Sequence, residues 1–221
     1  MNRFVLWFVK ITGWPVQWLY FKKKIYFTNK EKQGRVIDGG ALIVSNHTSV
    51  YDFPLMMYIF SKNKIRTLVA KSTADKSKLF TKFLKWIGGI IVDRSSYDFA
   101  FMSEMTKCVA EGDVGLIFPE AKITRGENDP KEGLMQFKPS FVYIALESGV
   151  PIIPVYTNGI YGKEKKKKKS RAKVIIGEKI YLNEMLDDKK SKKENIDFLC
   201  NYVKNYIECL GEQINEKEED K

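Results

Sequence analysis

Histidine is nearly absent from this chain, which contains only one, His47, in 221 residues. Imidazole is the side chain best suited to move a proton near neutral pH, because its unperturbed pKa is about 6.5. Any general-base chemistry by imidazole therefore depends on His47. A carboxylate, Asp52, follows five residues later across a predicted strand-to-helix turn. It would orient the ring and stabilise its charged form. The alternative is that the two residues lie in a loop and have no catalytic role.

Cysteine is also scarce, and the chain lacks the spacing of a metal site. The three cysteines are Cys108, Cys200 and Cys209, and a single histidine is available to join them. An odd number of widely separated thiols does not indicate a disulfide framework. We expect all three to be reduced and structural, as in a cytosolic protein, and no metal is implied.

Long hydrophobic runs are missing, although the first 27 residues are rich in aromatic side chains. Lys10, Gly13, Pro15 and Gln17 interrupt this segment, so it is too broken to be a membrane-spanning helix, and it lacks the cleavage site of a secretory signal. The segment predicts two short helices around Gly13 and Pro15 that lie in the bilayer interface, where tryptophan and lysine are favoured. The alternative is a helix pair packed on the protein's own core. Three of the four tryptophans fall here: Trp7, Trp14 and Trp18.

Acidic residues are outnumbered, with 27 Asp and Glu against 38 Lys and Arg, for a net charge of +11. This excess predicts an anionic partner. The lysine-rich run 163–169 is expected to be an exposed loop that attracts anionic lipid or an acidic carrier protein, or is simply solvated. No aromatic stacking platform accompanies the lysines, so nucleic acid is not an expected partner.

Short apolar runs alternate with helical segments along the rest of the chain. Alternation of this kind is typical of an α/β fold with a mostly parallel sheet covered by helices on both faces. We expect an interfacial helical segment over residues 1–30, a catalytic domain over 31–215 and a charged tail over 216–221. Strands are predicted at 41–45, 66–70, 89–93, 114–118, 152–156 and 173–176, and helices at 53–60, 77–86, 98–111, 139–148 and 192–214.

Polar strings follow several of these strands. In a parallel sheet the carboxyl ends of the strands form one edge, where ligands bind. The strings at 46–52, 93–96 and 119–122 are therefore expected to converge, while a fourth lies at 157–159. Structural roles remain open: Asp52 as a helix N-cap, Asp93 and Arg94 as a local ion pair, and Glu120 as a surface carboxylate or cap.

The same strings resemble the four sequence blocks of the glycerolipid acyltransferases, the lysophosphatidate acyltransferase family. Asn46–Asp52 is similar to its His-x4-Asp block, and Gly89–Arg94 to its second block. Phe118–Glu120 resembles the third block and Val150–Val155 the fourth, so the resemblance covers about residues 40–160.

By this resemblance, His47 is the general base and Asp52 orients it, while Arg94 binds the acceptor's phosphate. The third block departs from the family's Phe-Pro-Glu-Gly-Thr-Arg, since alanine replaces glycine and the cation falls at Lys122 or Arg125. Lysine lacks the planar fork of arginine. The altered block therefore leaves the identity of the acceptor more open than the type of reaction. The predicted substrate-binding residues are Asn46, Ser49, Arg94, Glu120, Lys122 and Arg125.

The implied reaction moves an acyl group from acyl-CoA or acyl carrier protein to the hydroxyl of lysophosphatidate, giving phosphatidate at the cytoplasmic face of the cell membrane. The enzyme would be peripheral or monotopic and need no cofactor beyond the acyl donor. No Gly-x-Ser-x-Gly elbow occurs, so we expect no acyl-enzyme. Backbone N–H groups of the first block are the expected oxyanion donors. The alternatives are another lysolipid acceptor, a thioesterase-like hydrolase and a non-enzymatic membrane-binding module.

Overall fold

A twisted central sheet organises the structure, a computed structural model that describes residues 1–93, 99–124, 133–158 and 172–219. Within these residues seven strands pair in the order β1-β7-β6-β2-β5-β3-β4, and only the β6–β7 pair is antiparallel. The predicted α/β architecture with a mostly parallel sheet is confirmed. The strands are β1 (Lys24–Phe27), β2 (Ala41–Ser45), β3 (Ile65–Ala70), β4 (Gly89–Val92), β5 (Val114–Ile117), β6 (Ile152–Thr157) and β7 (Lys173–Ile176).

Helices cover both faces of this sheet. One core cluster joins α1 and α2 to the sheet, and a second joins α5, α6 and α7 to the opposite face. The β3–α4–β4 crossover advances in the same direction as β2–α2–β3, and because such crossovers share one hand, α4 lies on the α1–α2 face. The helices are α1 (Arg3–Phe21), α2 (Asp52–Ile59), α3 (Lys71–Ala74), α4 (Lys78–Trp86), α5 (Ala100–Ala110), α6 (Ser140–Ser148) and α7 (Lys192–Glu219), with a 3-10 helix at Leu182–Met185.

The N-terminal segment forms one helix, so the prediction of two short helices is wrong. Pro15 lies inside α1, although its missing N–H removes one helical hydrogen bond. Contacts with α2 and the loop after it hold the helix together: the Lys10 ammonium donates to the carbonyls of Ser61 at 2.7 Å and Asn63 at 3.0 Å. The Tyr58 hydroxyl donates to the Val9 carbonyl at 3.0 Å. Tertiary packing thus overrides the local helix breakers.

Two further boundaries differ from the sequence prediction. Residues 24–27 form strand β1, which pairs in parallel with β7, so the end of the predicted helical segment belongs to the sheet. At the other end α7 continues to Glu219 and includes most of the predicted charged tail. None of the described helices is both long enough and apolar enough to cross a membrane.

The loop after β5 contains a backbone conformation that suits glycine. Ala121 has a φ of +58°, in the left-handed region, at the position where the resembled family has glycine. An L-residue pays roughly 1–2 kcal/mol for this conformation because its Cβ crowds the carbonyl oxygen. The departure from the family's third block therefore carries a conformational cost.

Ala121→Gly should raise the free energy of unfolding by about 1 kcal/mol, because glycine adopts positive φ without that crowding. The midpoint of thermal unfolding should rise by about 2–4 °C. Ala110→Gly is the matched control, since Ala110 is exposed at the end of helix α5 and has no such strain. A lower midpoint for Ala121→Gly would contradict this account of the loop.

Candidate active site

A large cavity opens at the carboxyl ends of the parallel strands, beside the only histidine. Its volume is about 770 Å³, and His47 and Asp93 line it together with the third-block residues Phe118, Pro119 and Ala121. Within the described residues the first three polar strings therefore converge as predicted, the second of them through Asp93 alone. Much of the wall is apolar and comes from β3, β4, β5, α5 and the residue before α5: Leu68, Val92, Phe99, Phe101, Met102 and Ile117.

The Asp52 carboxylate is completely buried and accepts hydrogen bonds from the loop that precedes it. His47 Nδ1 lies 2.9 Å from Oδ2, and the backbone N–H groups of Thr48 and Ser49 donate to the same oxygen at 2.7 and 2.8 Å. The Thr48 hydroxyl donates to Oδ1 at 3.1 Å. Asp52 is the first residue of α2 and its carboxylate makes no helix cap of its own, so the N-cap interpretation is wrong.

The bond to Asp52 decides which His47 nitrogen is available for chemistry. An ionised carboxylate only accepts hydrogen bonds, so in the neutral ring Nδ1 carries the proton and Nε2 keeps its lone pair. The side chain is 20% exposed and lines the cavity. Its ring stacks on Phe118 with centroids 4.3 Å apart and planes 17° apart. His47 is thus held in the tautomer and orientation of a general base.

The third block clamps the backbone of His47 from both sides. Glu120 is 5% exposed, and its Oε1 accepts from the His47 N–H at 2.8 Å. Its Oε2 accepts from the Thr124 hydroxyl at 2.6 Å and the Met135 N–H at 3.1 Å. The Thr124 N–H in turn donates to the His47 carbonyl at 2.7 Å. Glu120 is therefore neither a surface carboxylate nor a helix cap.

Two further first-block residues predicted to bind substrate have structural partners here. Asn46 is buried, and its amide donates to the Thr157 carbonyl and accepts from the Thr157 N–H, both at 2.8 Å. This pair ties the end of β2 to the end of β6. The buried Ser49 hydroxyl accepts from the Tyr51 N–H at 3.2 Å. Their contact with substrate stays a prediction.

Four N–H groups of the first block already have acceptors, so these four are not the expected oxyanion donors. The N–H of His47 donates to Glu120, and those of Thr48 and Ser49 donate to Asp52. Tyr51 N–H donates to the Ser49 hydroxyl. These hydrogen bonds stabilise the loop that contains His47.

Only some of the predicted phosphate-binding cations lie within the described residues. Arg94, Arg125 and the lysine-rich run 163–169 lie outside the described residues. Lys122 is exposed and is not among the residues that line the cavity, whereas Lys138 is one of them.

Lys71 was not predicted from the sequence, and its ammonium lies 2.9 Å from Asp93 Oδ2 at the cavity edge. The hydrogen bond that Lys71 donates to Asp93, and then the charge of that carboxylate, raise the pKa of Lys71, which stays a cation. Lys71 directly follows β3, and Asp93 directly follows β4. Because β3 and β4 are parallel neighbours, strand adjacency was the signal that could have paired them.

The three cysteines are free thiols in the structure. Cys200 is buried, and burial followed by the charge of Asp197 raises the pKa of its thiol to about 11. Burial also raises the pKa of Cys108, while Cys209 is exposed. Because a thiolate is the reactive form, the raised pKa makes Cys200 a packing residue and not a nucleophile.

Comparison with known proteins places this geometry in a family. Over 184 residues, covering 80% of this chain and 70% of the relative, it is 27% identical to the 1-acyl-sn-glycerol-3-phosphate acyltransferase of Haemophilus influenzae. The corresponding enzyme of Cocos nucifera is 29% identical over 55% of this chain, which spans 38% of that relative's length.

A solved structure shares the fold. The 1-acyl-sn-glycerophosphate acyltransferase PlsC of Thermotoga maritima superposes with a TM-score of 0.66 at 17% identity, covering 96% of this chain and 80% of that one. The sequence model of the acyltransferase family matches residues 24–158, which is more than half of the chain and includes all the site residues described above. This chain belongs to the acyltransferase family.

Proposed function

We propose that the protein transfers an acyl group from a thioester, on CoA or acyl carrier protein, to the free hydroxyl of lysophosphatidate. The product is phosphatidate, a precursor in phospholipid synthesis. The observation that carries the proposal is the His47–Asp52 pair, 2.9 Å apart, at the edge of a mostly apolar cavity. We infer the identity of the acceptor from the relatives, which are named 1-acyl-sn-glycerol-3-phosphate acyltransferases.

His47 acts first as a base and then as an acid. Its Nε2 takes the proton of the acceptor hydroxyl while the oxygen attacks the thioester carbonyl, forming the new C–O bond. The tetrahedral intermediate collapses, the C–S bond breaks, and the departing sulfur takes the proton from the imidazolium. Asp52 remains ionised and stabilises the positive charge on the ring, as the carboxylate does in a serine-protease triad.

The apolar cavity is the proposed site of the acyl chain. Its volume of about 770 Å³ falls in the range of small-molecule sites, and its apolar walls suit an aliphatic chain. His47 is one of the residues that line the cavity. An acyl chain bound in the cavity therefore places the thioester carbonyl near Nε2 of His47. Burial of the chain supplies binding energy without any directional contact.

Cations around the cavity are the proposed partners of the acceptor's phosphate. Arg94 has this role by resemblance, and Lys71 and Lys138 add positive charge at or near the cavity wall. Lys122 and Arg125 are the two candidates for the cation of the altered third block. Lysine binds phosphate as a point charge, whereas arginine offers two parallel hydrogen bonds.

Helix α1 is the proposed contact with an anionic membrane at the cytoplasmic face. Its inner side is fixed to α2 and the following loop by Lys10 and Tyr58, so one side of the helix always faces outward. An apolar strip this exposed is unusual for a soluble surface and suits the bilayer interface. The residues of this strip, each between 52% and 70% exposed, are Phe4, Trp7, Phe8, Ile11, Trp14 and Trp18.

A panel of acceptors with a labelled acyl donor tests the proposed function. We expect label in phosphatidate when lysophosphatidate is supplied, and little transfer to glycerol 3-phosphate or to neutral monoacylglycerol. Preferred use of another lysophospholipid would replace the acceptor proposed here. Release of free fatty acid at the same rate without any acceptor would indicate a thioesterase, and no turnover of donor at all would leave a membrane-binding module.

His47→Ala should lower the transfer rate by about 10²–10⁴-fold, because it removes the only imidazole base. Turnover and thermal unfolding are measured on the same preparations. The fold should persist, since Asp52 keeps its bonds from Thr48 and Ser49. Activity within a few-fold of the unmodified protein would eliminate His47 as the base.

Glu120→Gln should lower kcat by about 10²-fold with little change in the KM for acceptor, because it displaces the backbone of His47. Both carboxylate oxygens of Glu120 accept a hydrogen bond from a backbone N–H, one from His47 and one from Met135. The NH₂ group of glutamine would face one of these N–H groups, and two donors cannot form a hydrogen bond. Glu147→Gln is the control, because the Glu147 carboxylate lines the cavity and that of Glu120 is not among the lining residues. A raised KM at constant kcat would instead assign Glu120 to acceptor binding.

Trp7→Ser combined with Trp14→Ser should weaken flotation with anionic vesicles and leave thermal unfolding unchanged. Both side chains are more than half exposed, so the folded domain loses little packing. The matched control is Phe198→Ser with Tyr202→Ser on α7, on the opposite side of the sheet. The defect should persist in high salt, because burial of apolar surface is not screened. Equal flotation of both double variants would refute the anchoring role of α1.

A further inference from the structure

We propose that helix α4 forms a second contact with an anionic lipid bilayer, beside α1. In this contact Leu79 enters the boundary between headgroups and acyl chains, and the lysines of α4 bind anionic headgroups. The inference rests on the proposed membrane association of α1 and deepens it, because it makes the contact a surface formed by two helices.

The sequence of α4 separates charge from apolar surface. Lys78, Lys82 and Lys85 recur at helical spacing along one side, and all three are exposed. Leu79, Phe83 and Trp86 recur at the same spacing on the adjoining side, and the helix contains no acidic residue. The Lys82 ammonium also lies 5.0 Å from the centre of the Trp86 ring. A basic amphipathic helix of this kind is typical of segments that lie in a membrane interface.

Within the part of the chain that the structure describes, the apolar side of α4 is only partly covered. No residue of the helix is buried, although a helix packed on a sheet normally hides an apolar stripe. Leu79 is 72% exposed, the highest value among the exposed large hydrophobic side chains of the described residues. Phe80, Phe83, Leu84 and Trp86 are only half-buried.

The position of α4 makes its surface continuous with that of α1. The Asn2 N–H, at the start of α1, donates to the Trp86 carbonyl at the end of α4 at 2.9 Å. Both helices lie on the same face of the sheet, and the exposed Phe4 and Trp7 belong to the end of α1 that adjoins α4. A flat bilayer that meets the outer side of α1 therefore also reaches α4.

The charge of α4 selects the kind of membrane. Each lysine near a negatively charged leaflet adds attraction that a neutral bilayer cannot provide. Removing all three charges should therefore weaken binding to anionic vesicles by about 100-fold at low salt and change binding to neutral vesicles little. Leu79→Glu should weaken binding by about tenfold or more, because it replaces inserted apolar surface with a repelled carboxylate.

The experiment measures partition of the full chain onto vesicles of phosphatidylcholine alone and of phosphatidylcholine mixed with phosphatidylglycerol. The two test variants are Leu79→Glu and the triple change of Lys78, Lys82 and Lys85 to Gln. The matched controls are Leu186→Glu, at a leucine 45% exposed next to the 3-10 helix, and the triple change of Lys189, Lys192 and Lys193 to Gln. Thermal unfolding verifies that each variant folds.

We expect both test variants to lose partition onto the mixed vesicles and both controls to keep it. Acylation of a short-chain, soluble lysophosphatidate should be unchanged in all four variants. If α4 variants partition as well as the unmodified protein, this inference fails and the α1 contact stands. If the unmodified protein binds neither kind of vesicle, both contacts fail, while retained acylation of the soluble acceptor leaves the proposed reaction intact.

Discussion

The buried carboxylate of Asp52 is the constraint on which the site depends. A charge with no exposure to water is costly unless hydrogen bonds satisfy it, and here an imidazole, two backbone N–H groups and a hydroxyl do so. Its place in the first turn of α2 adds the favourable end of the helix dipole. These donors fold the loop from β2 back onto α2, and that loop shape aims His47 at the cavity. The same hydrogen bonds therefore stabilise the turn and fix the orientation of His47.

The third block completes this arrangement from a distant part of the chain. Glu120 and Thr124 hold the two backbone groups of His47, and Phe118 stacks on its ring. The loop reaches these positions by accepting a left-handed conformation at Ala121. The two blocks therefore act as a unit: the first sets the tautomer of His47, and the third sets its position. The outer surface of α1, fixed on α2, places the same unit beside a proposed bilayer contact.

Sequence patterns predicted the parts of this structure that depend on local chemistry. The central strands were predictable because runs such as 41–45 are apolar and bounded by polar residues, and Gly149 ends α6 with a φ of +69° as its type suggests. The His47–Asp52 pair was visible in one short string. The single helix α1 was not, because Lys10 and Tyr58 stabilise it across the local break at Pro15. The clamp by Glu120 and the Lys71–Asp93 pair depend on contacts between distant segments, which no local pattern encodes.

The central claim is that His47 activates the acceptor's hydroxyl for direct attack on the thioester, without an acyl-enzyme. A single turnover with excess protein and a donor labelled in its acyl group tests this claim most directly. The account predicts that the donor stays intact until lysophosphatidate is added, after which the label appears in phosphatidate at the rate at which free thiol forms. Rapid release of thiol before acceptor is added, with the label on the protein, would contradict it.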